Sequence, residues 1–364
     1  MANSKGRGAT RNDLSGRFGL AARTVDGDWL DWAAAEAELP PLKTRVTVEQ
    51  PKSALSRNDS PDIPFDRSFN AYRGCEHGCI YCFARPSHAY HDLSPGLDFE
   101  TKLFAKPTGP DLLRREFARR GYRPQVLAMG TNTDPYQPIE RQWHITRRVL
   151  ELCLEVQHPL SITTKSATVL RDLDLLSALA RHGLATVTLS VTTLDPVLAR
   201  TMEPRAAAPH RRLAAIRALA GAGVPAFVSA SPMIPALNDH ELESILKEAA
   251  THGATGAYAQ MVRLPHEVAP LFEAWLASHY PDRARHVLSA IRAARGGRLG
   301  SGRFHERMRP DSEWGRLLAQ RLQIARLRFG LAGKPPPLRL DLFRPPPSLV
   351  MAPDCRQGDL FTLQ

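Results

Sequence analysis

Three cysteines near residue 80 are the residues whose type and spacing point most directly to chemistry. Cys75, Cys79 and Cys82 lie in the stretch GCEHGCIYCFARPSHAY, and the 364-residue chain has five cysteines in all. Clustered thiolates hold metal ions or iron–sulfur clusters, whereas an odd number of cysteines concentrated in one short loop does not form a disulfide framework. The spacing therefore predicts a metal or cluster site.

The number of thiolates narrows the choice of group. A structural zinc site takes four protein ligands; His77 lies within the loop, but no second CxxC pair follows it. An ordinary four-iron ferredoxin centre takes four cysteines, and Cys153 stands in the apolar run VLELCLEV, where a buried packing role is expected. Three thiolates leave one iron of a 4Fe-4S cluster without a protein ligand, open to a small molecule. The alternatives are a structural zinc site and a chance cluster of cysteines.

Alternating strands and helices in the middle of the chain must position this loop. With an opening strand near 68–73, apolar runs predict strands at 125–130, 160–164, 185–191, 225–231 and 256–262. Helical patterns between them predict helices at 111–120, 140–156, 169–182, 210–222 and 239–252. This alternation indicates an α/β fold with a parallel sheet, either an incomplete barrel or an open doubly wound sheet. In both, the chemistry lies at the carboxyl ends of the strands.

The flanking regions differ from this core in composition. We expect an N-terminal extension over 1–64 with a short helix around 29–39, a core domain over 65–280, and an Arg-rich helical extension with a Pro-rich flexible tail over 281–364. Between residues 281 and 328 there are twelve arginines and four acids. The whole chain carries a net charge of +11, which favours a polyanionic partner, most often nucleic acid. A general compositional bias toward arginine is the alternative.

The compartment is predicted from what the sequence lacks. It has no run of eighteen apolar residues, so no transmembrane helix and no membrane partner are expected. The basic start has no apolar signal-peptide segment. Together with the clustered, unpaired cysteines, this predicts a reducing, cytoplasmic location.

The residues around the cysteines are similar to those of a known family. The pattern CxxxCxxC after a first strand, with the aromatic Tyr81 before the last cysteine, resembles the radical S-adenosyl-L-methionine (SAM) superfamily. GCEHGCIYCFARPSHAY and LSPGLDFETK resemble its spore-photoproduct-lyase-like group, and the resemblance covers about residues 65–265. It implies a partial (β/α)6 barrel, a 4Fe-4S cluster on Cys75, Cys79 and Cys82, and SAM chelating the free iron. One electron then cleaves SAM to a 5′-deoxyadenosyl radical, so a flavodoxin- or ferredoxin-type electron donor is an expected partner.

The resemblance also implies cofactor-binding residues at two strand ends. In MGTNTDPYQP, after the second strand, Asp134 with Thr131 and Thr133 would bind the ammonium group of SAM. In TTKS, after the third strand, Lys165 would pair with the methionyl carboxylate. The alternatives are an Asp-Pro turn for Asp134 and a surface position for Lys165.

Further candidates come from the later strand ends and the loop itself. Ser190 in LSVTT would hydrogen-bond the ribose, and Tyr81 would flank the adenine. Arg205 in EPRAAAPHRR faces the active site, or else Glu203 and Arg205 cap the next helix. After the fifth strand, Asn238 is predicted to be the N-cap of the following helix.

Three function classes follow. The first is a radical SAM enzyme acting on nucleic acid, as the basic charge favours. The photoproduct lyases carry a hydrogen-donating cysteine after the second strand, and MGTNTDPYQP has none; repair of thymine photoproducts by that route is therefore not expected. The alternatives are a radical SAM enzyme with a protein or small-molecule substrate, and a non-catalytic iron–sulfur electron-transfer protein.

A short motif near the C-terminal end predicts a protein partner. QGDLF, with Gln357, Leu360 and Phe361, follows the Pro-rich run and resembles the peptide by which bacterial proteins dock on the replicative sliding clamp. Leu360 and Phe361 would fill an apolar pocket, with Gln357 at its rim. The alternative is that these side chains anchor the end of the chain on the protein's own surface.

Overall fold

The computed structural model describes residues 6–15, 17, 43–300, 302–308 and 312–347. Their strands are β1 (Arg45–Val48), β2 (Ser56–Arg57), β3 (Arg67–Phe69), β4 (Tyr72–Arg73), β5 (Lys102–Ala105), β6 (Leu127–Met129), β7 (Leu160–Thr164), β8 (Ala185–Ser190), β9 (Ala226–Met233) and β10 (Gly256–Met261). Their α-helices are α1 (Leu97–Thr101), α2 (Gly109–Phe117), α3 (Glu140–Trp143), α4 (Ile145–Glu155), α5 (Leu173–Arg181), α6 (Pro196–Met202), α7 (Pro209–Gly221), α8 (Leu242–Thr251), α9 (Val268–His279), α10 (Pro281–Ala294) and α11 (Glu313–Arg328). Short 3-10 helices occupy Arg85–His91, Ala167–Asp172 and Asp239–Glu241.

A seven-stranded sheet is the centre of the fold, in the order β10-β9-β8-β7-β6-β3-β2. The short β2 is antiparallel to β3, and the other six strands are parallel. Those six lie side by side in chain order, without the reversal of order that defines a doubly wound sheet. The predicted partial (β/α)6 barrel is therefore confirmed.

The burial pattern explains why these segments form a covered parallel sheet. All three residues of β6 are buried, as are five of the six in β8, which is the near-continuous apolar pattern of strands covered on both faces. Helix α4 turns one face inward, with Ile145, Val149 and Leu152 buried at helical spacing.

Element boundaries differ from the predictions where the backbone takes an unusual conformation. The helix predicted over 140–156 is broken into α3 and α4 by His144, whose φ is +50°; the left-handed region interrupts a right-handed helix. The segment predicted as one helix over 169–182 begins as a 3-10 helix before α5. The predicted opening strand is two strands, β3 in the main sheet and β4 in a second, smaller one.

The second sheet was not predicted. Its order is β1-β5-β4, with β5 parallel to β1 and antiparallel to β4. In β1 only Val46 is half-buried and the rest is exposed, so the strand carries little of the alternation from which strands are predicted. Two strands of this sheet flank, along the chain, the segment that contains Cys75, Cys79 and Cys82, which we call the cysteine loop: β4 ends at Arg73 and β5 begins at Lys102.

The C-terminal helices are part of the barrel's packing. Helix α11 packs against α8 and β10, and Ala332 forms an antiparallel bridge with Gly256 at the start of β10. Leu331 is fully buried, and one hydrophobic cluster extends from Ala9 to Leu331. The domain boundaries predicted at 64 and 280 stay predictions, but the residues on either side of them share one core.

The Pro-rich run lies against the barrel through residue 347. The amides of Arg339 and Arg344 donate to the carbonyls of Gly183 and Val156, at 3.0 and 2.9 Å. Phe343 contacts the rings of Phe117, Tyr122 and His158. The part of the predicted flexible tail that the structure describes is thus held by backbone and ring contacts.

Two predicted segments fall outside the described residues: the helix around 29–39, and the motif containing Gln357, Leu360 and Phe361. Among the helices that are described, none is both long and apolar enough to cross a membrane.

Candidate active site

The cysteine loop follows β4 and is held by backbone hydrogen bonds to two neighbouring segments. The amide of Cys75 donates to the carbonyl of Phe99 (2.9 Å), and that of Ile80 donates to the carbonyl of Met202 (3.0 Å). Gly74 and Gly78 have φ values of +73° and +68°, in the region that favours glycine. A Cβ on Gly74 would stand only 2.8 Å from the carbonyl oxygen of Phe99, so both the turn and the close packing require glycine there.

Arg85 fixes the inner side of this loop. Its side chain is fully buried. It donates to the carbonyls of Cys79 and Gly78 at 2.9 and 3.1 Å, and to those of Pro95 and Gly96, both at 3.0 Å. Because the planar guanidinium presents several donors in fixed directions, one side chain sets the path of the loop between the cysteines.

The charge of Arg85 is balanced by Glu100, which also binds the N-terminal segment. The Arg85–Glu100 ion pair is 2.6 Å long, and both side chains are completely buried. The two oxygens of Glu100 also accept the amides of Gly8 and Ala9, at 3.0 and 2.8 Å. Residues 6–15 therefore cover the cysteine loop, and a Cβ on Gly8 would overlap the carbonyl oxygen of Gly78.

A second set of contacts joins the loop to the carboxyl end of β6 and to Arg205. The amide of Glu76 donates to the side chain of Gln137 (2.9 Å), whose Nε2 donates to the carbonyl of Gly74 (3.2 Å). Arg205 pairs with Glu76 at 3.0 Å, and its amide donates to the carbonyl of His77. The structure thus places Arg205 beside the cysteine loop, where it pairs with a loop carboxylate.

Asp134 bridges β6 and β7. One oxygen accepts from Thr164 Oγ1 (2.7 Å) and the amide of Tyr136 (2.8 Å), and the other accepts the amide of Lys165 (2.8 Å). Burial opposes its ionisation, but His77 and these hydrogen bonds outweigh burial and lower the pKa of Asp134 to about 2. Both carboxylate oxygens of Asp134 therefore accept hydrogen bonds from nearby residues, as expected for an Asp-Pro turn. The contact of Asp134 with the SAM ammonium group stays a prediction.

Lys165 extends from the end of β7 toward the loop. Its Nζ lies 5.8 Å from the centre of the Tyr81 ring. Burial by itself would lower the pKa of Lys165, but the nearby Cys79 and Glu203 favour the cation and raise it. A protonated ammonium group beside the cysteine loop suits a carboxylate ligand.

A buried ion pair lies beneath Tyr81. Glu203 accepts from the Tyr81 hydroxyl and pairs with Arg212, and the side chains of Glu203 and Arg212 are buried. Arg212 also donates to the carbonyl of Ser190 (3.0 Å). Ser190, the last residue of β8, is buried beside this network.

Two threonines after β6 contact the side-chain amide of Asn70. Thr131 and Thr133 lie around Asn70 Oδ1, which accepts from Thr131 Oγ1 and the amide of Thr133, both at 3.4 Å. Thr133 Oγ1 donates to the carbonyl of Tyr72 (3.0 Å). These contacts connect the carboxyl ends of β6 and β3.

Asn238 occupies the predicted N-cap position, but its side chain does not cap the helix. It precedes the 3-10 helix Asp239–Glu241, but its side chain makes no capping hydrogen bond. Instead it accepts the amide of Ile234 (2.6 Å) and donates to the carbonyls of Thr192 and Pro232 at 2.7 and 3.0 Å. A fully buried amide must satisfy its donors and acceptor, and here it joins the loops after β8 and β9.

The donor set fits a cluster held by three thiolates. Cys75, Cys79 and Cys82 are free thiols on one loop, whereas Cys153 is buried in the core on α4. Within the described ranges, no three His, Cys, Asp or Glu side chains converge as ligands of a single metal ion, and His77 faces Asp134. Burial raises the pKa of the Cys79 thiol to about 12, so binding of a cationic group there must release protons.

A cationic cavity of about 290 Å³ opens beside the loop. His77 and three arginines, Arg141, Arg205 and Arg211, are among its lining residues, and none of the lining residues is a carboxylate. Among the described residues, the side chains of Arg141 and Arg211 have no ion pair or hydrogen bond. The cavity therefore suits an anion.

Sequence reasoning missed three residues that build this site, Arg85, Gln137 and Arg212, and it did not predict that Glu100 pairs with Arg85. Their hydrogen-bond partners include residues 9 to 92 positions away along the chain, and no local periodicity signals such pairs. Arg85 and Glu100 do lie in the two stretches that resemble the lyase-like group. That proximity was the available signal for them.

Several known proteins are similar to this chain. The family model for the radical SAM superfamily matches residues 69–249. An uncharacterized protein of Mycobacterium tuberculosis is 37% identical over 234 residues, which are 64% of this chain and 69% of that protein. An uncharacterized protein of Methanocaldococcus jannaschii is 29% identical over 172 residues, covering 47% of this chain and 62% of the relative.

Two solved structures share the fold. Spore photoproduct lyase complexed with dinucleoside spore photoproduct has a TM-score of 0.56 and 17% identity, covering 78% of this chain and 79% of that one. A mutant of that lyase with bound AdoMet and the dinucleoside has a TM-score of 0.57 at the same identity and coverage. The residues matched by the family model contain the whole cysteine loop and strands β6 to β9. The chain belongs to the radical SAM superfamily and is a radical SAM enzyme.

Proposed function

We propose that this enzyme holds a 4Fe-4S cluster on Cys75, Cys79 and Cys82 and acts on nucleic acid. The observation that supports the cluster is the loop that carries the three thiols. This loop lies at the carboxyl ends of the parallel strands, where it is held by turns at glycine, by the Arg85 guanidinium and by the carbonyl of Phe99. A cluster held by these three thiolates would supply the electron for the reductive cleavage of SAM.

The chain's own residues would bind and orient SAM. Lys165, kept protonated by neighbouring negative groups, would pair with the methionyl carboxylate. Tyr81, whose hydroxyl is held by Glu203, would flank the adenine. Ser190 at the end of β8 would lie at the ribose. Asp134 would keep the ends of β6 and β7 together around the ligand.

Nucleic acid as the substrate class is supported by charge. The net charge is +11, and the cavity beside the cysteine loop is lined by Arg141, Arg205 and Arg211 without a carboxylate. Arg205 pairs with Glu76, whereas the side chains of Arg141 and Arg211 have no partner among the described residues and suit the phosphates of a polyanion. The arginines of residues 281–328 support the proposal less, because Arg307, Arg321 and others pair with carboxylates of the same chain.

The reaction differs from hydrogen donation by a cysteine after the second parallel strand. Residues 130–139, which follow β6, contain no cysteine. We therefore propose a modification or cleavage of the substrate in which no cysteine of residues 130–139 donates a hydrogen atom. Free thiols at four described cysteines accord with a reducing, cytoplasmic setting, where a flavodoxin- or ferredoxin-type protein would deliver the electron.

The test is anaerobic incubation of the reconstituted full chain with SAM and a reductant, in the presence and absence of single-stranded DNA, single-stranded RNA and duplex DNA. We expect 5′-deoxyadenosine in each reaction and faster formation with one of the nucleic acids. Formation that no nucleic acid accelerates, but that a protein or small-molecule fraction does, would remove the nucleic-acid part. No 5′-deoxyadenosine under any condition would remove the radical function and favour an electron-transfer role.

A further inference from the structure

An exposed aromatic ring stands next to the last cysteine of the loop. Phe83 follows Cys82, and 43% of its surface is exposed. The guanidinium of Arg263 lies 4.1 Å from the centre of its ring, which is a close cation–π contact. Arg263 comes two residues after the end of β10, so the pair lies at the carboxyl end of the last parallel strand.

A second pair of the same kind lies on the loop before α11. Phe304 is 52% exposed, and the guanidinium of Arg307 is 4.9 Å from its ring centre. Arg307 is held by two hydrogen bonds to Asp62, at 2.8 and 2.5 Å, and the amide of His305 donates to the same carboxylate at 3.0 Å. The backbone and the arginine beside Phe304 are therefore fixed by one buried acid.

The two pairs lie on segments that contact each other. Gln260 Nε2, near the end of β10, donates to the sulfur of Met308 (3.1 Å), and the amide of Leu264 donates to the carbonyl of Leu299 (3.3 Å). Arg295 donates to the carbonyl of Val262, the residue before Arg263, at 2.8 Å. We call Phe83, Arg263, Phe304 and Arg307 the arginine–aromatic patch.

Charge and shape limit what this surface binds. Arg263, Arg295 and Arg307 lie with the carboxylate of Asp62, and Arg303 and Glu306 of the same loop pair with each other, so the surface carries excess positive charge. Exposed phenylalanine rings beside guanidinium groups offer flat faces for stacking next to donors for phosphates. Nucleobases of a single strand use both, because each base has a stacking face and each nucleotide a phosphate.

We propose that the arginine–aromatic patch binds single-stranded or locally unpaired nucleic acid, with bases stacked on Phe83 and Phe304 and phosphates on Arg263 and Arg307. This inference rests on the proposed nucleic-acid function and specifies it, because a stacked duplex does not present its base faces to protein rings. Binding here brings an unpaired nucleotide beside Cys82, next to the site of radical formation. Enzymes that react with a base take it out of the helical stack in this way.

The test measures affinity of the anaerobically reconstituted full chain by fluorescence anisotropy. The probes are a labelled DNA strand of about 12 nucleotides, within the range that single-strand sites cover, the matching duplex, and an abasic strand of the same length. We expect the base-bearing strand to bind about a hundredfold more tightly than the abasic strand, because each of the two stacked bases contributes about 1–3 kcal/mol. The duplex should bind more weakly than the base-bearing strand.

Variants separate stacking from charge. Phe304→Ala should weaken binding of the base-bearing strand about tenfold and leave binding of the abasic strand unchanged. Arg263→Gln should weaken binding of both. Phe83→Leu is a second stacking variant, and its iron content and thermal midpoint show whether the neighbouring Cys82 is disturbed. The matched control is Tyr258→Ala, which removes an aromatic ring that is 40% exposed in the first half of β10, away from the patch.

Each outcome decides the proposal. Equal affinity for base-bearing and abasic strands, preference for the duplex, or a Phe304→Ala effect no larger than that of Tyr258→Ala would overturn it. Production of 5′-deoxyadenosine by the wild-type protein is measured separately. If SAM is cleaved while the patch variants bind DNA normally, this inference fails and the radical function stands.

Discussion

Arg85 and Glu100 form an ion pair of 2.6 Å in which neither side chain is exposed to solvent. The pair connects the carbonyls between the cysteines to the amides of Gly8 and Ala9. Because water does not solvate these two buried charges, each is compensated by the other. The conformation of the cysteine loop therefore depends on an intact ion pair.

Removing the carboxylate should therefore destabilise the protein strongly. Glu100→Gln leaves the Arg85 charge buried without a counter-ion, and breaking such a pair costs about 3–5 kcal/mol. Urea unfolding of the full chain measures the loss. The control is Glu273→Gln, which breaks an exposed pair with Arg292 and should change the free energy of unfolding by less than about 0.5 kcal/mol. Equal effects of the two variants would show that the buried pair has no special role.

A buried histidine should make stability fall at acid pH. Burial and the nearby Arg67 lower the pKa of His158 to about 4, against about 6.5 for a free histidine. The folded state thus favours the neutral ring, and this contribution is complete above pH of about 6.5 and is lost as pH falls toward 4. The free energy of unfolding should fall by up to about 1.4 kcal/mol per pH unit in that window.

The variant His158→Gln checks the assignment of this effect. His158 Nδ1 donates to the carbonyl of Pro159 (3.0 Å), and Nε2 accepts from the Tyr122 hydroxyl (2.8 Å). Urea unfolding at several pH values between about 7 and 4 should give a shallower slope for the variant than for wild type. The slope should not vanish, because burial also lowers the pKa of His88 to about 4. Superimposable slopes would remove His158 as a source of the pH dependence.

Lys165 should matter for SAM binding. We expect Lys165→Ala to weaken SAM affinity by about 1.5–3 kcal/mol, the range for a hydrogen bond to a charged group, or about ten- to a hundredfold. Titration calorimetry of the reconstituted protein measures this. Lys247→Ala, on the exposed side of α8, is the matched removal of one lysine. If both variants bind SAM as wild type does, Lys165 is not a ligand.

The arginines that line the cavity should increase the salt dependence of nucleic-acid binding. For a single strand, the slope of log affinity against log salt decreases by about 0.7 for each phosphate that the protein no longer neutralises. The double variant Arg141→Gln/Arg211→Gln should thus lower the slope by about 1.4. The control Arg292→Gln/Arg339→Gln removes the same charge from arginines that already pair with carboxylates. Equal slopes for the two double variants would mean that only net charge matters.

The sequence predicts the parallel barrel well because its strands are long or continuously apolar. Strands such as β8 and β9 are buried along most of their length, which produces a pattern readable without tertiary context. The small β1-β5-β4 sheet is not predictable in this way, since β1 is mostly exposed. Its pairing is set by the cysteine loop, which brings β4 and β5 together.

The same contrast holds at the site. The three cysteines are identifiable because their spacing is local. The Tyr81–Glu203 contact joins residues 122 positions apart, and the Asn238 side chain bonds to Thr192, 46 positions earlier. Such pairs form only when the loops at the carboxyl ends of the strands come together in the folded protein. The sequence therefore indicates which residue types lie in these loops, but not which residues they contact.

The measurement that tests the central claim most directly is the iron and sulfide content of the anaerobically reconstituted protein, with the electron paramagnetic resonance spectrum of its reduced form. We predict about four irons per chain, as a cubane cluster holds, and a spectrum that SAM perturbs. Cys75→Ala, Cys79→Ala and Cys82→Ala should each abolish the cluster, and Cys153→Ala should retain it. Stoichiometric zinc without iron, or a full cluster in any of the three loop variants, would contradict the account.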